Sequence, residues 1–109
     1  MIIDLTTTTP DYLDHFKGGE GYVSARTSFD GMNRILHGTL LPGHTIGMHT
    51  HDTSSEVIYV ISGIVHMVYD GADEYITAGN AHYCPKGHTH MMMNDGPAPA
   101  VFFAVVPEQ

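Results

Sequence analysis

The stretch GHTIGMHTHDTSSEVIYVISG, from Gly43 to Gly63, decides how the rest of the chain is interpreted. His49 and His51 flank Thr50, and alternate side chains of an extended strand point to one face. Their Cα atoms would lie about 6.6 Å apart, so that two imidazoles can share one metal ion. Glu56 follows a polar turn and begins a second strand, which we expect to run antiparallel to the first and to supply an oxygen ligand. The stretch therefore predicts a metal cradle made by two neighbouring strands.

The size and composition of the chain indicate one ordinary globular domain. Its 109 residues allow a single core, and 42% of them are hydrophobic. No apolar run approaches the roughly 20 residues of a membrane span, and the first residues lack the pattern of a signal peptide. The one cysteine, Cys84, cannot form an internal disulfide. We therefore expect a cytoplasmic protein that does not associate with membranes.

The charge of the chain argues against one class of partner. The net charge is −8, and Lys and Arg together number only four. Binding to phosphate backbones depends on clustered Lys and Arg side chains, so we expect no nucleic-acid partner.

Short apolar segments separated by Gly, Pro and Asp turns fill the chain from Tyr22 onward. This spacing is typical of an all-β sandwich or barrel, and nothing after Tyr22 predicts a long helix. The expected strands are Gly21–Phe29, Asn33–Leu41, Thr45–His51, Glu56–Ser62, Ile64–Asp70, Glu74–Thr77, Ala81–Cys84, Thr89–Asn94 and Ala100–Val105.

The first twenty residues show no clean hydrophobic period. Thr9, Pro10 and Asp11 form a helix-start signal, with a capping residue, a proline at the first helical position and an acidic residue in the first turn. We predict an N-terminal arm over residues 1–20 that contains a short helical turn, followed by one barrel domain over residues 21–109.

Two motifs with fixed spacing occur in this sequence, one on each side of residue 70. The first motif, G-x5-H-x-H-x4-E-x6-G, lies within the opening stretch, and the second, G-x5-P-x-G-x2-H-x3-N, lies within GNAHYCPKGHTHMMMN. A match to both motifs is far more specific than either H-x-H pair alone, His49 with His51 or His88 with His90. The specified positions are Gly43, His49, His51, Glu56 and Gly63 in the first motif, and Gly79, Pro85, Gly87, His90 and Asn94 in the second. With these residues the chain resembles the cupin superfamily, in particular its small single-domain microbial members.

The resemblance implies a double-stranded β-helix, or jelly-roll barrel, with a metal site near one mouth. The ligands of the family carry over to His49, His51, Glu56 and His90. Three imidazoles and one carboxylate suit one divalent transition metal, namely Mn, Fe, Co, Ni, Cu or Zn. On an octahedral ion they leave two adjacent positions open, and the net +1 charge of the site favours anionic or enolisable oxygen donors, such as carboxylates, diketones and hydroxy acids.

Three further residues are candidates for catalytic roles. His44 and His88 lie in loops beside the ligand positions and are expected to line the mouth. His82 and Tyr83 alternate along one strand, so only one of them can face the interior. The resemblance implies an apolar residue at position 82, and we therefore predict that Tyr83 points inward, with its hydroxyl near the metal.

Three functional interpretations stay open at this stage. The first is an enzyme acting on a small oxygen-rich or carboxylated molecule by dioxygenase, decarboxylase or lyase, or isomerase chemistry. The second is a non-catalytic module in which the metal holds a small ligand for sensing or storage. The third is a site occupied structurally by zinc.

A homodimer is the expected assembly, since small cupins commonly pair and the strand edges of the sheets need covering. Sedimentation or light scattering at micromolar concentration should give a species of twice the chain mass. A single species of 11.9 kDa would refute the prediction.

Overall fold

Ten β-strands make up nearly all of the regular structure. The coordinates are a computed structural model that describes residues 1–109. The nine strands predicted from the sequence are all present, with ends that differ by two residues or fewer, and one further strand, β1, precedes them. The strands are β1 (Asp11–Asp14), β2 (Tyr22–Phe29), β3 (Asn33–Leu40), β4 (Thr45–Thr50), β5 (Glu56–Ser62), β6 (Ile64–Tyr69), β7 (Ala72–Thr77), β8 (Ala81–Cys84), β9 (Thr89–Met93) and β10 (Ala100–Pro107).

The strands form two antiparallel sheets that face each other. The larger sheet has the order β1-β2-β3-β10-β5-β8, and the smaller has the order β4-β9-β6-β7. The prediction that β4 and β5 are paired neighbours is wrong, because the DTSS turn carries the chain from one sheet to the other. The only helical segment is a single 3-10 turn, Phe16–Gly18, so no helix has the length that a membrane span requires.

The core lies between the inner faces of the two sheets. Ile58 and Val60 point inward from β5, as their alternation with exposed Val57 and Tyr59 predicts. Phe102 is the largest fully buried side chain, and its ring lies directly over Gly38 on the neighbouring strand. A Cβ at Gly38 would stand 2.4 Å from the Phe102 ring, so the aromatic side chain occupies the space that the glycine leaves.

The N-terminal arm forms part of the larger sheet. The helix predicted to start at Thr9 is absent, because Asp11–Asp14 is strand β1 and pairs with β2. A helix of one or two turns has little intrinsic stability in water, whereas pairing with an existing edge satisfies the backbone groups of this segment. The predicted helical turn occurs later, at Phe16–Gly18.

Two glycines bring the arm against β4. A Cβ at Gly47 would stand 2.0 Å from the backbone oxygen of Lys17, and a Cβ at Gly19 would stand 2.2 Å from the backbone oxygen of Thr45. Only residues without side chains permit such close backbone contact. The 3-10 turn thereby becomes one wall of the cavity described below.

Replacing Gly47 with Ala should therefore displace the arm. We expect Gly47→Ala to destabilise the protein by about 1–3 kcal/mol, the usual cost of overpacking. The free energy of unfolding from denaturant titration provides the measurement. Gly96→Ala is the matched control, because a Cβ there meets its nearest atom at an ordinary 3.5 Å. Equal stability of the two variants would contradict the close packing of the arm.

Candidate metal centre

An irregularity in β4 determines which of its side chains enter the barrel. Ile46 pairs with Met92 and His49 pairs with His90, so β4 carries one more residue than β9 over this interval. This β-bulge shifts the alternation by one position. As a result, Met48 is exposed and His49 faces the interior.

Four side chains from three strands and one loop converge inside the barrel. The chain supplies His49 from β4, His51 from the segment after it, Glu56 from the start of β5 and His90 from β9. Their ligand atoms all lie within 4.8 Å of one another. His90 Nε2 is 3.0 Å from His51 Nε2, 3.2 Å from His49 Nε2 and 3.1 Å from Glu56 Oε1.

The hydrogen bonds of the outer ring nitrogens explain why each imidazole directs Nε2 toward this point. His49 Nδ1 donates to the backbone oxygen of Gly47 at 2.7 Å, and His51 Nδ1 is 2.9 Å from the hydroxyl of Ser54. Since a carbonyl can only accept, the proton of neutral His49 resides on Nδ1, and its Nε2 presents a lone pair. Nitrogen lone pairs and a carboxylate that meet at one point repel one another unless a proton or a metal ion lies between them.

The separations fit a single metal ion. Ligands bound at 2.0–2.1 Å and at right angles lie about 3.0 Å apart. The four separations measured between ligand atoms fall between 3.0 and 3.2 Å. The donor set of three imidazoles and a carboxylate suits the divalent transition metals named above. These residues therefore fit the metal that the sequence predicts.

Electrostatics keep the carboxylate ionised in this buried position. Burial raises the pKa of Glu56, but its hydrogen bonds with His51 and His90 outweigh this effect and bring the pKa to about 2. Burial also lowers the pKa of His49, which favours the neutral imidazole that a metal requires. The site thus holds one negative charge that attracts a cation.

A cavity of about 640 Å³ opens in front of these four residues. Its walls are largely apolar, from Phe16 of the arm to Phe102 of β10. Its fixed cations are Lys17 and Arg34, and its other carboxylates are Asp52 and Glu108. A cavity of this size is in the usual range for small-molecule sites, and apolar walls with few polar groups are typical of them.

None of the three predicted catalytic residues lines the cavity. The predicted orientation of Tyr83 is wrong: its side chain is 55% exposed on the outer face of β8, while His82 points inward. His44 lies at the opposite end of β4 from His49, where it packs on the ring of Tyr22 at 4.8 Å. His88 turns away from the barrel and donates to the carboxylate of Asp70.

The structure reveals two residues near the site that sequence reasoning missed, His82 and Glu74. His82 Nε2 is 3.0 Å from His90 Nδ1, and His82 Nδ1 is 2.8 Å from Glu74 Oε1. Burial lowers the pKa of His82, although the bond to Glu74 acts in the opposite direction. The one signal in the sequence was a histidine at a position where the family resemblance implies an apolar residue.

His66 shows how a histidine outside the cavity differs from the four converging residues. Its two ring nitrogens each lie 2.7 Å from a carboxylate oxygen, one from Asp73 and one from Asp95. Burial lowers the pKa of His66, but the bonds to these two carboxylates outweigh it and raise the pKa above its ordinary value. Both nitrogens donate, and no lone pair is left for a metal.

The His66 ion pairs predict a pH dependence of stability. Because the pKa is raised on folding, their contribution is complete below pH 6.5, the unfolded value, and is lost as the pH rises through the folded value. Between pH 6 and pH 8.5 the free energy of unfolding should therefore fall further in the wild-type protein than in His66→Gln. Both proteins are measured in the presence of a metal chelator. Parallel curves would show that the ion pairs contribute nothing.

Comparisons with known proteins agree with this fold. An oxalate-binding protein of Thermotoga maritima is 26% identical over 112 residues, which cover 97% of this chain and 93% of the relative. The crystal structure described as a predicted oxalate decarboxylase from Thermotoga maritima superposes with a TM-score of 0.92 at 25% identity and covers all of both chains. KdgF from Halomonas sp. has the same fold, with a TM-score of 0.71 at 17% identity, over 91% of this chain and 87% of its own.

The cupin domain family matches residues 36–106, which is more than half of the sequence and includes all four converging residues. The double-stranded β-helix predicted from the two motifs is the observed fold, and this chain belongs to the cupin domain family.

Proposed function

We propose that this protein binds one divalent transition metal through His49, His51, Glu56 and His90, and through that metal a small carboxylate. The observation that carries the proposal is the convergence of three imidazole nitrogens and one carboxylate oxygen within 4.8 Å, at the wall of an open cavity. A metal bound there would supply a Lewis acid with positions free for oxygen donors.

The charges around the cavity support an anionic ligand. A divalent metal with Glu56 as its single anionic ligand has a net charge of +1, and Lys17 and Arg34 add the only Lys and Arg side chains of the cavity wall. Carboxylates and chelating diones carry negative or polarisable oxygens. Two of these oxygens can occupy adjacent coordination positions of one metal. The apolar remainder of the wall would accept a ligand larger than a bare dianion.

The relatives favour the same ligand class. One is named for binding oxalate, and a solved structure is described as a predicted oxalate decarboxylase, with near-complete coverage of this chain in both cases. Oxalate, a dianion that can chelate through two oxygens, is therefore the first ligand to test.

The role of the side chains in this proposal is to hold and orient rather than to transfer protons. Tyr83, His44 and His88 lie outside the cavity, so the acid and base groups expected from the sequence do not meet a ligand there. This observation favours metal-dependent binding over turnover. Decarboxylase, dioxygenase or isomerase chemistry is the second candidate, and Asp52 and Glu108 are the carboxylates of the cavity that could then exchange protons with substrate.

Metal binding is tested with chelator-stripped protein titrated with Mn(II), Co(II) and Zn(II). We expect one equivalent per chain and a rise in melting temperature, because a ligand that binds only the folded state stabilises it. His49→Ala and His90→Ala should weaken binding by more than about 100-fold, beyond the loss typical of an outer hydrogen-bonding partner. His37→Ala is the matched control, since His37 lies on β3 outside the cavity wall.

Ligand binding is tested by calorimetry of the Mn(II)-loaded protein with oxalate, followed by larger 2-oxo acids and dicarboxylates. Binding should require the metal and weaken in Arg34→Gln. Assays for carbon dioxide, formate and oxygen consumption distinguish turnover from binding. Absence of metal binding in the wild type, or oxalate binding that survives metal removal, would overturn the proposal.

We also propose that the homodimer forms on the outer face of β5 and β8. β8 is one of the two edge strands of the larger sheet, and large apolar side chains are exposed on β8 and on the neighbouring β5. A second copy that covered this edge would bury them. They are Val57, Tyr59, Ile61 and Tyr83, at 40%, 45%, 44% and 55% exposure.

A further inference from the structure

A chain of hydrogen bonds leads from His90 through the barrel wall to the surface. His90 Nδ1 lies 3.0 Å from His82 Nε2, and His82 Nδ1 lies 2.8 Å from Glu74 Oε1. The exposure of the side chains rises from 2% at His90 and 2% at His82 to 42% at Glu74. Because β8 and β7 are edge strands of different sheets, the chain also joins the two sheets.

The carboxylate of Glu74, at the outer end of the chain, fixes which atom donates in each of the two hydrogen bonds. The carboxylate of Glu74 accepts, so His82 donates through Nδ1, and in that tautomer its Nε2 carries a lone pair. His90 must then donate through Nδ1, which leaves its own Nε2 lone pair directed at His49, His51 and Glu56. The surface carboxylate thereby selects the tautomer of a buried histidine two bonds away.

A second metal site among the same residues is the competing interpretation. The ligand atoms of His82, Cys84 and His90 also lie within 4.8 Å of one another. His82 Nε2 and His90 Nδ1 are hydrogen-bonded to each other at 3.0 Å, however, which leaves neither of these ring nitrogens free for a metal. His82 is already hydrogen-bonded at both nitrogens, so the group lacks free donors.

We propose that Glu74 and His82 form a hydrogen-bonded relay that orients His90 and makes it a stronger metal ligand. This inference rests on the proposed function, since it concerns the same metal. A carboxylate that accepts a proton from a ligating imidazole fixes the ring and raises its basicity, and here a neutral histidine passes that effect inward. His82 is thus a positioning residue, and Glu74 acts through it.

The test compares two substitutions at position 82 by measuring Zn(II) and Co(II) dissociation constants with a competing chromophoric chelator. His82→Leu removes the acceptor and leaves the buried N–H of His90 without a partner, so we expect affinity to fall about 10–100-fold. His82→Gln places an amide oxygen near the position of Nε2 and should recover most of that loss. His66→Leu removes a carboxylate-bound histidine elsewhere and should leave affinity unchanged.

Two further measurements keep the proposal testable if His82→Leu fails to fold. Glu74→Ala alters a half-exposed side chain and should weaken Zn(II) binding about 3–10-fold, less than the loss of a direct partner of His90, because Glu74 acts through His82. Nitrogen-15 NMR of the Zn(II)-loaded protein should show His82 and His90 both protonated at Nδ1. A purely structural role of His82 would not predict this pair of tautomers.

The outcomes separate this inference from the proposed function. If wild-type protein binds no metal, both fail. If wild-type protein binds one equivalent, but His82→Leu and Glu74→Ala bind equally tightly, the relay alone is wrong. A second equivalent bound at His82, or His82 protonated at Nε2, would likewise overturn the relay while leaving the first site intact.

Discussion

The convergence of nitrogen lone pairs and one carboxylate on a single point is the constraint on which the site depends. Such an arrangement is unfavourable in a buried environment unless a positive charge occupies the point. The protein maintains it by occupying the outer nitrogen of His49 with a carbonyl, that of His51 with a hydroxyl and that of His90 with another imidazole. The barrel around them keeps the groups close while they repel, and a metal ion would turn that repulsion into ligation.

The two sheets contribute unequally to this arrangement. The smaller sheet supplies His49 and His90 as directly opposed residues on β4 and β9, and the larger sheet supplies Glu56 from across the barrel. The bulge in β4 brings His49 inward, and the contact of Gly47 with the arm holds the same segment from outside. The short piece of β4 around Gly47 therefore determines both the geometry of the metal centre and the position of the cavity wall.

Histidine performs several different tasks in this chain, and the partners of the ring nitrogens distinguish them. His66, between two carboxylates, is a cation. His49 has one acceptor partner and one free lone pair, so it suits a metal. His82 accepts on one side and donates on the other, and it transmits a hydrogen bond. Residue type alone does not separate these tasks, because each depends on what the fold places beside the ring.

The sequence by itself determined the positions of nine strands along the chain, the turns between them and, through the family resemblance, the four candidate ligands, because strand alternation and the two motifs are local properties of the chain. It could not determine that β1 adds to the sheet edge, that a bulge exposes Met48, or that His82 and not Tyr83 faces inward. Each of these depends on partners distant in sequence: β2 for β1, β9 for the bulge, and Glu74 with His90 for His82. A buried histidine is favourable only where both ring nitrogens find partners, and only the tertiary structure brings those partners together.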